Sequence, residues 1–309
     1  MNTVFMGTPD FALPCLKRLV EKGYNVSGVF TQPDKPVGRK QIITPPPVKQ
    51  YALEQGIPVF QPEKIKTGEC FELIKKLSPD VIVVVAYGKI IPENIIDFPK
   101  YGCINIHGSL LPRLRGAAPI QWSVINGDKY AGITSMKMDA GLDTGDIILK
   151  RPVEIGFCET SGELYDRLSL TGADVMEETL KLLEEGKATF EKQDDSLSTY
   201  APLLSKEISE INWNEDGLKV YNKIRGLNPW PVAHTFYSGK KIKIISADFI
   251  ENIGKKAGEI TADGKSLTVS CGDGSGISVK VIQSEGKKAM DIKSFLAGNK
   301  IESGSFFGG

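Results

Sequence analysis

Residues 81–86 read VIVVVA, six apolar side chains in succession. A strand with no polar face survives only where its sheet is covered on both sides, the situation of a parallel sheet flanked by helices. The chain before it supplies suitable neighbours. Residues 3–6 form a short apolar strand, 7–10 a turn, and 11–22 a helix with Leu13, Leu16, Leu19 and Val20 on one face, stopped by Gly23. Residues 26–30 are the next strand, followed by a helix near 48–55, a strand at 58–60 and a helix near 69–77. Strand, helix and strand at this spacing make parallel βαβ units, so the first part of the chain is expected to be a doubly wound, mostly parallel α/β domain.

At 309 residues the chain is long for one compact domain and suits two. A long amphipathic helix is expected over 160–186, with Leu164, Leu168, Val175, Leu180 and Leu183 toward the core and a run of charges outside. Residues 194–205 include Pro202 and show no period, the mark of a linker. The expected domains are therefore 1–193 and 207–309, with 194–206 between them. In the second, 217–225 is helical, and short β-rich runs at 241–245, 257–260, 267–270 and 277–282 alternate with Gly turns, the pattern of a small β-barrel. The tail 303–309 is expected to fray.

Composition excludes several classes of function. The chain is 41% hydrophobic and 25% charged, ordinary for a soluble globular protein. Its 38 basic side chains balance 38 acidic ones, so any nucleic-acid contact must come from local basic clusters rather than a net field. Five cysteines, Cys15, Cys70, Cys103, Cys158 and Cys271, are dispersed without a CxxC, as in a cytosolic protein with reduced thiols. His107 and His234 are the only histidines and no cluster has metal-ligand spacing, so no metal is expected. The N-terminus lacks the blocks of a signal peptide, and the longest apolar run is far too short to span a bilayer.

Chemistry enters at residues 103–107, CINIH, a short apolar strand whose alternate positions carry Asn105 and His107. Side chains two apart on a strand share a face, so an amide and an imidazole stand together where the strand runs into Gly108-Ser109. An amide can donate to an oxyanion without changing charge, and an imidazole can move a proton near neutral pH. The pair suits acyl or formyl transfer, in which an amine attacks a carbonyl carbon through a tetrahedral intermediate with an anionic oxygen. A carboxylate is also needed, to orient and charge the imidazole and to take the proton leaving the amine. The stretch 138–148, MDAGLDTGDII, offers Asp139, Asp143 and Asp146, and its spacing does not choose among them.

Two further stretches stand out. Gly7-Thr8-Pro9-Asp10 sits at a β-to-α turn but is not GxGxxG, and reads as turn geometry rather than a dinucleotide site. Residues 32–47, QPDKPVGRKQIITPPP, form a long insertion with five prolines and the cations Lys35, Arg39 and Lys40. Loops of this length inside a compact domain are functional or disordered.

NIHGSLLPRLRGAAPIQ at 105–121, followed by MDAGLDTGDII, resembles the signature of the folate-dependent formyltransferases. FMGTPDFA at 5–12, VFTQPDKPVGR at 29–39, VVVAYGKIIP at 83–92 and NPWPV at 228–232 extend the likeness over nearly the full length, toward the members that act on methionyl-tRNA. The resemblance implies a Rossmann-like formyltransferase domain followed by a small barrel of oligonucleotide-binding type. It implies formyl transfer from 10-formyltetrahydrofolate, as cosubstrate, to the α-amino group of methionyl initiator tRNA by a monomeric cytoplasmic enzyme. The family's catalytic trio carries over to Asn105, His107 and Asp143. Ser109, Leu110, Leu111 and Pro112 would line the folate site, with backbone groups for the pterin edge and apolar side chains for its rings, and the turn Ala86-Tyr87-Gly88 would lie close by. The loop holding Lys35, Arg39 and Lys40 would wedge into the tRNA acceptor end, Arg39 matching the family's key arginine. Lys206 and Arg225 are candidates for tRNA backbone contact, and Arg113 and Arg115 for phosphate or adenosine. Trp230, between two prolines, is expected to anchor domain packing.

Three rival readings remain. A sugar-amine formyltransferase shares the trio but has no need of so long a cationic loop. A formyltetrahydrofolate hydrolase would leave the loop and second domain without a task. A non-catalytic RNA-binding module would have no use for Asn105, His107 and Asp143.

Overall fold

The computed structural model describes residues 1–38 and 40–308. The chain separates into two compact units, one of residues 1–116, 131–153 and 165–201, the other of 117–130, 154–164 and 202–309.

The elements of the first unit begin with β1 (Asn2–Gly7), α1 (Leu13–Glu21) and β2 (Asn25–Phe30). A small hairpin follows, β3 (Lys35–Val37) and β4 (Ile42–Thr44), then α2 (Pro47–Glu54), β5 (Val59–Phe60), α3 (Gly68–Leu77), β6 (Val81–Val85), α4 (Glu93–Ile96) and β7 (Cys103–His107). Next come β8 (Arg115–Gly116), α5 (Pro119–Ile125), which belongs to the second unit, β9 (Tyr130–Lys137), β10 (Asp146–Glu154), α6 (Ser161–Glu184) and β11 (Tyr200–Ala201). The main sheet runs β10-β9-β7-β6-β1-β2-β5. Its pairs β1/β2, β1/β6, β2/β5 and β6/β7 are parallel, and β7/β9 is antiparallel. All five residues of β6 are buried, as an all-apolar strand in the middle of a covered sheet must be.

The chain leaves β1 toward β2 and β5 on one side and returns through β6 and β7 on the other. The carboxyl ends of β1 and β6 therefore flank a topological switch point, where open α/β sheets bind ligands. Gly7 closes β1 there for a packing reason: a Cβ at that position would lie 2.7 Å from Phe5 and 2.8 Å from Ala12. Thr8 Oγ1 and Gln32 Nε2 each donate to the Tyr87 carbonyl, at 3.1 Å, and tie the ends of β1, β2 and β6 together.

Two expectations are refined in this unit. Residues 32–47, expected as a long functional or disordered loop, carry the β3/β4 hairpin, with Lys35 opposite Thr44. Its base is fixed by Lys49 Nζ, which donates to both Asp34 oxygens at 2.8 Å and to Gln61 at 2.7 Å. The expected linker also has structure: Asp195–Leu197 form a 3-10 turn, and β11 pairs in parallel with β8. Pairing with a strand 85 residues earlier leaves no local period to read. Arg39 lies outside the described residues.

The second unit continues with α7 (Gly217–Gly226), β12 (His234–Tyr237), β13 (Lys240–Ile250), β14 (Ile260–Ala262), β15 (Leu267–Ser270), β16 (Gly276–Ser284), β17 (Met290–Asp291) and α8 (Ile292–Gly298). Its antiparallel sheet has the order β12-β13-β16-β15-β14, with β17 on β16. The sheet's two open edges, β12 and β14, are joined by the C-terminal tail, which is docked rather than frayed. Ile260 N donates to Ser305 O and Gly304 N to Ile260 O, both at 2.8 Å, across β14 and the tail, Phe307 N donates to Gly258 O, and Gly308 N donates to Phe236 O of β12 at 3.0 Å. Phe307 is buried with its ring 6.0 Å from that of Trp213. The edges of a short sheet carry unpaired backbone groups, and here the tail satisfies them and gives the unit its barrel-like closure.

Candidate functional site

The three polar residues singled out at the end of β7 and in the stretch after β9 come together in the first unit. Asn105 Nδ2 donates to Asp143 Oδ1 at 3.4 Å, and His107 Nδ1 lies 3.7 Å from Asp143 Oδ2. His107 is buried and Asn105 is half-buried at the mouth of the strand. Asp143 reaches them from a turn in which it adopts φ +55°, and its Oδ2 also accepts the Gly116 amide at 2.8 Å. Of the other two carboxylates, Asp139 accepts from Gly141 N and Thr144 Oγ1 and so closes its own turn, and Asp146 opens β10.

The second ring nitrogen of His107 fixes its tautomer. Nε2 lies 3.0 Å from the carbonyl of Leu114. A carbonyl can only accept, so Nε2 is the donor in this contact and Nδ1 is the nitrogen that faces Asp143. Leu114 holds φ +56°, a left-handed conformation uncommon for a residue with a side chain. Two such residues, Leu114 and Asp143, flank one imidazole. Each costs on the order of 1–3 kcal/mol, so the surrounding structure must hold them, a pattern found at functional sites.

The four residues from Ser109 to Pro112 begin a compact turn with a cis bond between Leu111 and Pro112. Ser109 is buried, its hydroxyl donating to Arg113 O at 2.7 Å, and its carbonyl accepts from Thr134 Oγ1 at 2.6 Å. Leu111 is buried with Met136 and Ile147. Leu110 and Pro112 are the half-exposed members of the four. In the turn after β6, Ala86 and Gly88 are exposed while the Tyr87 ring is buried beneath them, and burial pushes its phenol up. Ala86 and Gly88 both take positive φ, 46° and 75°, which folds the backbone sharply at the end of β6.

The cations are distributed unevenly. Lys35 and Lys40 are exposed on the hairpin, Lys35 donating to Gln32 Oε1 at 2.7 Å. Lys206 is exposed. Arg225, by contrast, is buried and donates to the carbonyls of Gly156 and Glu159 at 3.2 and 2.9 Å and to Asn222 Oδ1 at 2.8 Å. Burial lowers its pKa, yet the guanidinium spends its donors on backbone within the second unit, which removes it as a surface contact for a polyanion. Arg115 donates to Gln193 and to Asp195, so its hydrogen-bonding capacity is committed inside the first unit. Arg113 is exposed. Trp230 is 52% exposed and so is not a buried packing anchor.

Several neighbours of the trio had no signal in the sequence. Leu114 acts through its carbonyl, which any residue possesses. Gln193, whose Nε2 donates to the carbonyls of Asp143 and Gly145 at 2.9 and 2.8 Å, lies 50 positions from Asp143. Among the described residues no group of three or more His, Cys, Asp or Glu could hold a metal ion, and no helix is long and apolar enough to cross a membrane.

Comparison with known proteins places this geometry. The chain is 50% identical over 305 residues to the methionyl-tRNA formyltransferase of Geobacter metallireducens, covering 98% of this chain and 97% of that one. It is 48% identical over 312 residues to the methionyl-tRNA formyltransferase of Ruminiclostridium cellulolyticum, covering all of both. Solved structures share the fold at lower identity. The N-formyltransferase of Helicobacter canadensis, solved with folinic acid and dTDP-3-aminofucose, superposes with a TM-score of 0.69 at 18% identity, over 91% of this chain and 98% of that one. The methionyl-tRNA formyltransferase of Clostridium thermocellum gives 0.55 at 23% identity, over 88% and 100%. Residues 1–180 match the formyl transferase family model and residues 203–300 match the model of the formyl transferase C-terminal domain. With an amide, an imidazole and a carboxylate meeting at the carboxyl ends of its parallel strands, and with both family models matched in order, the chain belongs to the formyl transferase family.

Proposed function

We propose that this chain transfers the formyl group of 10-formyltetrahydrofolate to the α-amino group of methionine on initiator tRNA, giving N-formylmethionyl-tRNA for translation initiation in the cytoplasm. Near-half identity to methionyl-tRNA formyltransferases across the whole chain supports the acceptor, and the meeting of Asn105, His107 and Asp143 supports the chemistry.

The folate donor suits the residues at the switch point. The half-buried Asn105 amide, the exposed backbone of Ala86 and Gly88, and the half-exposed Leu110 and Pro112 offer hydrogen bonds and apolar surface to a flat heterocycle and its formyl group. Ser109 and Leu111 support that surface from beneath. The Asn105 amide donates to the formyl oxygen as it gains negative charge, without any change in its own protonation. His107 Nδ1, protonated and beside Asp143, adds positive charge to the same region and delivers its proton to the departing nitrogen. Asp143 holds the imidazole in register and accepts, directly or through water, the proton that the attacking amine loses. The amine's new carbon–nitrogen bond forms first, giving a tetrahedral intermediate with an anionic oxygen; the bond to the folate nitrogen then breaks as His107 protonates it, and the proton that Asp143 took from the amine restores His107.

Residues 1–193 carry the donor site and the trio in this reading, and 207–309 hold the tRNA. Lys35 and Lys40 on the hairpin, together with Arg39 and Lys206, contact its acceptor end and backbone, where cations neutralise phosphates.

A formyl-transfer assay with 10-formyltetrahydrofolate tests it, comparing methionyl initiator tRNA, methionyl elongator tRNA, free methionine and a nucleotide-linked amino sugar, with Arg39→Ala alongside. Fast transfer to the initiator tRNA alone, weakened by the Arg39 change, is expected. Transfer to the amino sugar and not to the tRNA would replace this reading with the sugar-amine one.

A further inference from the structure

We infer that residues 191–201 are a positioning strap for the catalytic imidazole, with Gln193 and Thr199 fixing the two partners of His107. The inference rests on the catalytic reading of Asn105, His107 and Asp143 given above.

The strap runs past both polar partners of His107, Asp143 and Leu114. It enters beside β10, where Ile147 and Glu191 exchange backbone hydrogen bonds at 2.8 and 2.9 Å. Gln193 then bridges the Asp143 turn, its Nε2 donating to Asp143 O and Gly145 O. The same side chain accepts from Arg115 through Oε1, at 3.2 Å from Nε and 2.8 Å from the terminal nitrogen, so its orientation is fixed at both ends. Arg115 is held in turn by Asp195 at 2.7 Å. Asp194 accepts from Ser196 N and Oγ and closes the strap's own turn.

Six residues after Gln193, the strap meets the other partner. Thr199 Oγ1 accepts the Leu114 amide at 2.9 Å, and Thr199 O accepts the Arg115 amide at 2.9 Å. The Leu114 carbonyl is thereby aimed at His107 Nε2. Tyr200 covers Gly116, where a Cβ would lie 2.6 Å from its ring, and the Gly116 amide is the donor to Asp143 Oδ2.

Leu114 and Asp143 are the two left-handed residues that flank His107, and the strap bonds both. A segment that only connected two domains would have no reason to place an amide side chain across two carbonyls of a turn 50 residues away. Gln193 and Thr199 touch no reacting atom in this arrangement. They act through Asp143 and Leu114.

The test is steady-state formyl transfer to methionyl initiator tRNA by Gln193→Glu, Thr199→Val and Thr199→Ser, with Asn105→Ala as reference. Gln193→Glu keeps the length and the acceptor for Arg115 but turns an oxygen toward two carbonyls. Thr199→Val keeps the shape and loses the acceptor for Leu114, whereas Thr199→Ser retains it. Displacing a catalytic group by about 1 Å can cost about 100-fold, so Gln193→Glu and Thr199→Val are expected to lower kcat by about 10- to 100-fold with both KM values within about threefold of the parent. Thr199→Ser should restore kcat to within about twofold, and all three variants should keep the parent's circular dichroism and melting profile. Parent-like kcat in Gln193→Glu and Thr199→Val, or a loss carried by KM or by unfolding, overturns the strap if Asn105→Ala is inactive. Parent-like turnover in Asn105→Ala overturns the catalytic reading itself, and the strap with it.

Discussion

His107 is held between a carbonyl and a carboxylate, and the two contacts have different consequences. Leu114 O takes the Nε2 hydrogen bond, which leaves Nδ1 facing Asp143 on the side of Asn105. Asp143 is thus bonded to Asn105 and Gly116 and lies beside His107. Asp143→Asn keeps the size and tolerates the left-handed backbone, since Asn adopts that region readily, but it removes the charge. Turnover at saturating substrate is expected to fall by at least about 100-fold, the contribution of a positioned acid or base. Asn105→Ala removes an oxyanion donor and should cost about 100- to 1,000-fold. Single-turnover formyl transfer measures both, and a loss under about tenfold in either would contradict the role given to that residue.

Helices and the tail show how elements are joined. α1 and α6 are linked through Glu177 of α6, which is buried and bonded to Arg18 at 2.8 Å, Lys22 at 3.2 Å and its own neighbour Lys181 at 2.6 Å. The Lys181 hydrogen bond first, and then those of Arg18 and Lys22, hold its carboxyl down at about 2 against an ordinary 4.5. A carboxylate depressed in the folded state contributes stability that is fully present above the unfolded value and is lost as pH falls through the folded one. Melting temperature should therefore drop between pH 4.5 and about 2, and Glu177→Gln should flatten that part of the curve. At the other end of the chain, Phe307 fills the space between Trp213 and Tyr237, with ring centroids at 6.0 and 5.9 Å. Phe307→Ala is expected to cost about 3–5 kcal/mol by the lost burial and the cavity left behind, read from urea denaturation. A change under about 1 kcal/mol would mean that the tail does not close the barrel.

Across the whole molecule the formal charge is zero, so an attraction to tRNA must come from local cations such as those of the β3/β4 hairpin. Each phosphate neutralised adds about 0.7 to 0.9 to the slope of log affinity against log salt. The KM for methionyl-tRNA should rise steeply from 50 to 200 mM salt while that for the folate moves less than about twofold, and equal responses of both would argue against a backbone-gripping mode. The same scale separates what the chain declares from what its folding decides. The VIVVVA run, the βαβ spacing and the alternation of Asn105 with His107 are local patterns, because burial on both faces and a side-chain period of two leave direct marks on neighbouring residues. They yielded the parallel sheet and two members of the trio. The third member stayed one of three aspartates until the resemblance singled out Asp143, and only folding brings Asp143 from 38 residues away to Asn105. The β3/β4 hairpin was missed, and the docked tail, the buried Arg225 and the exposed Trp230 were misread, because proline-rich or glycine-rich composition and charge say how a segment behaves alone. A segment with no period of its own takes its structure from a partner distant in sequence: 194–206 from β8, and the tail from β12 and β14. By itself the sequence determined the parallel sheet with its helices and the polar residues at the end of its central strands. The tertiary structure decided which aspartate faces the imidazole, which ring nitrogen faces that aspartate, and which residues hold both in place, since backbone carbonyls and contacts across 50 or more residues leave no local trace.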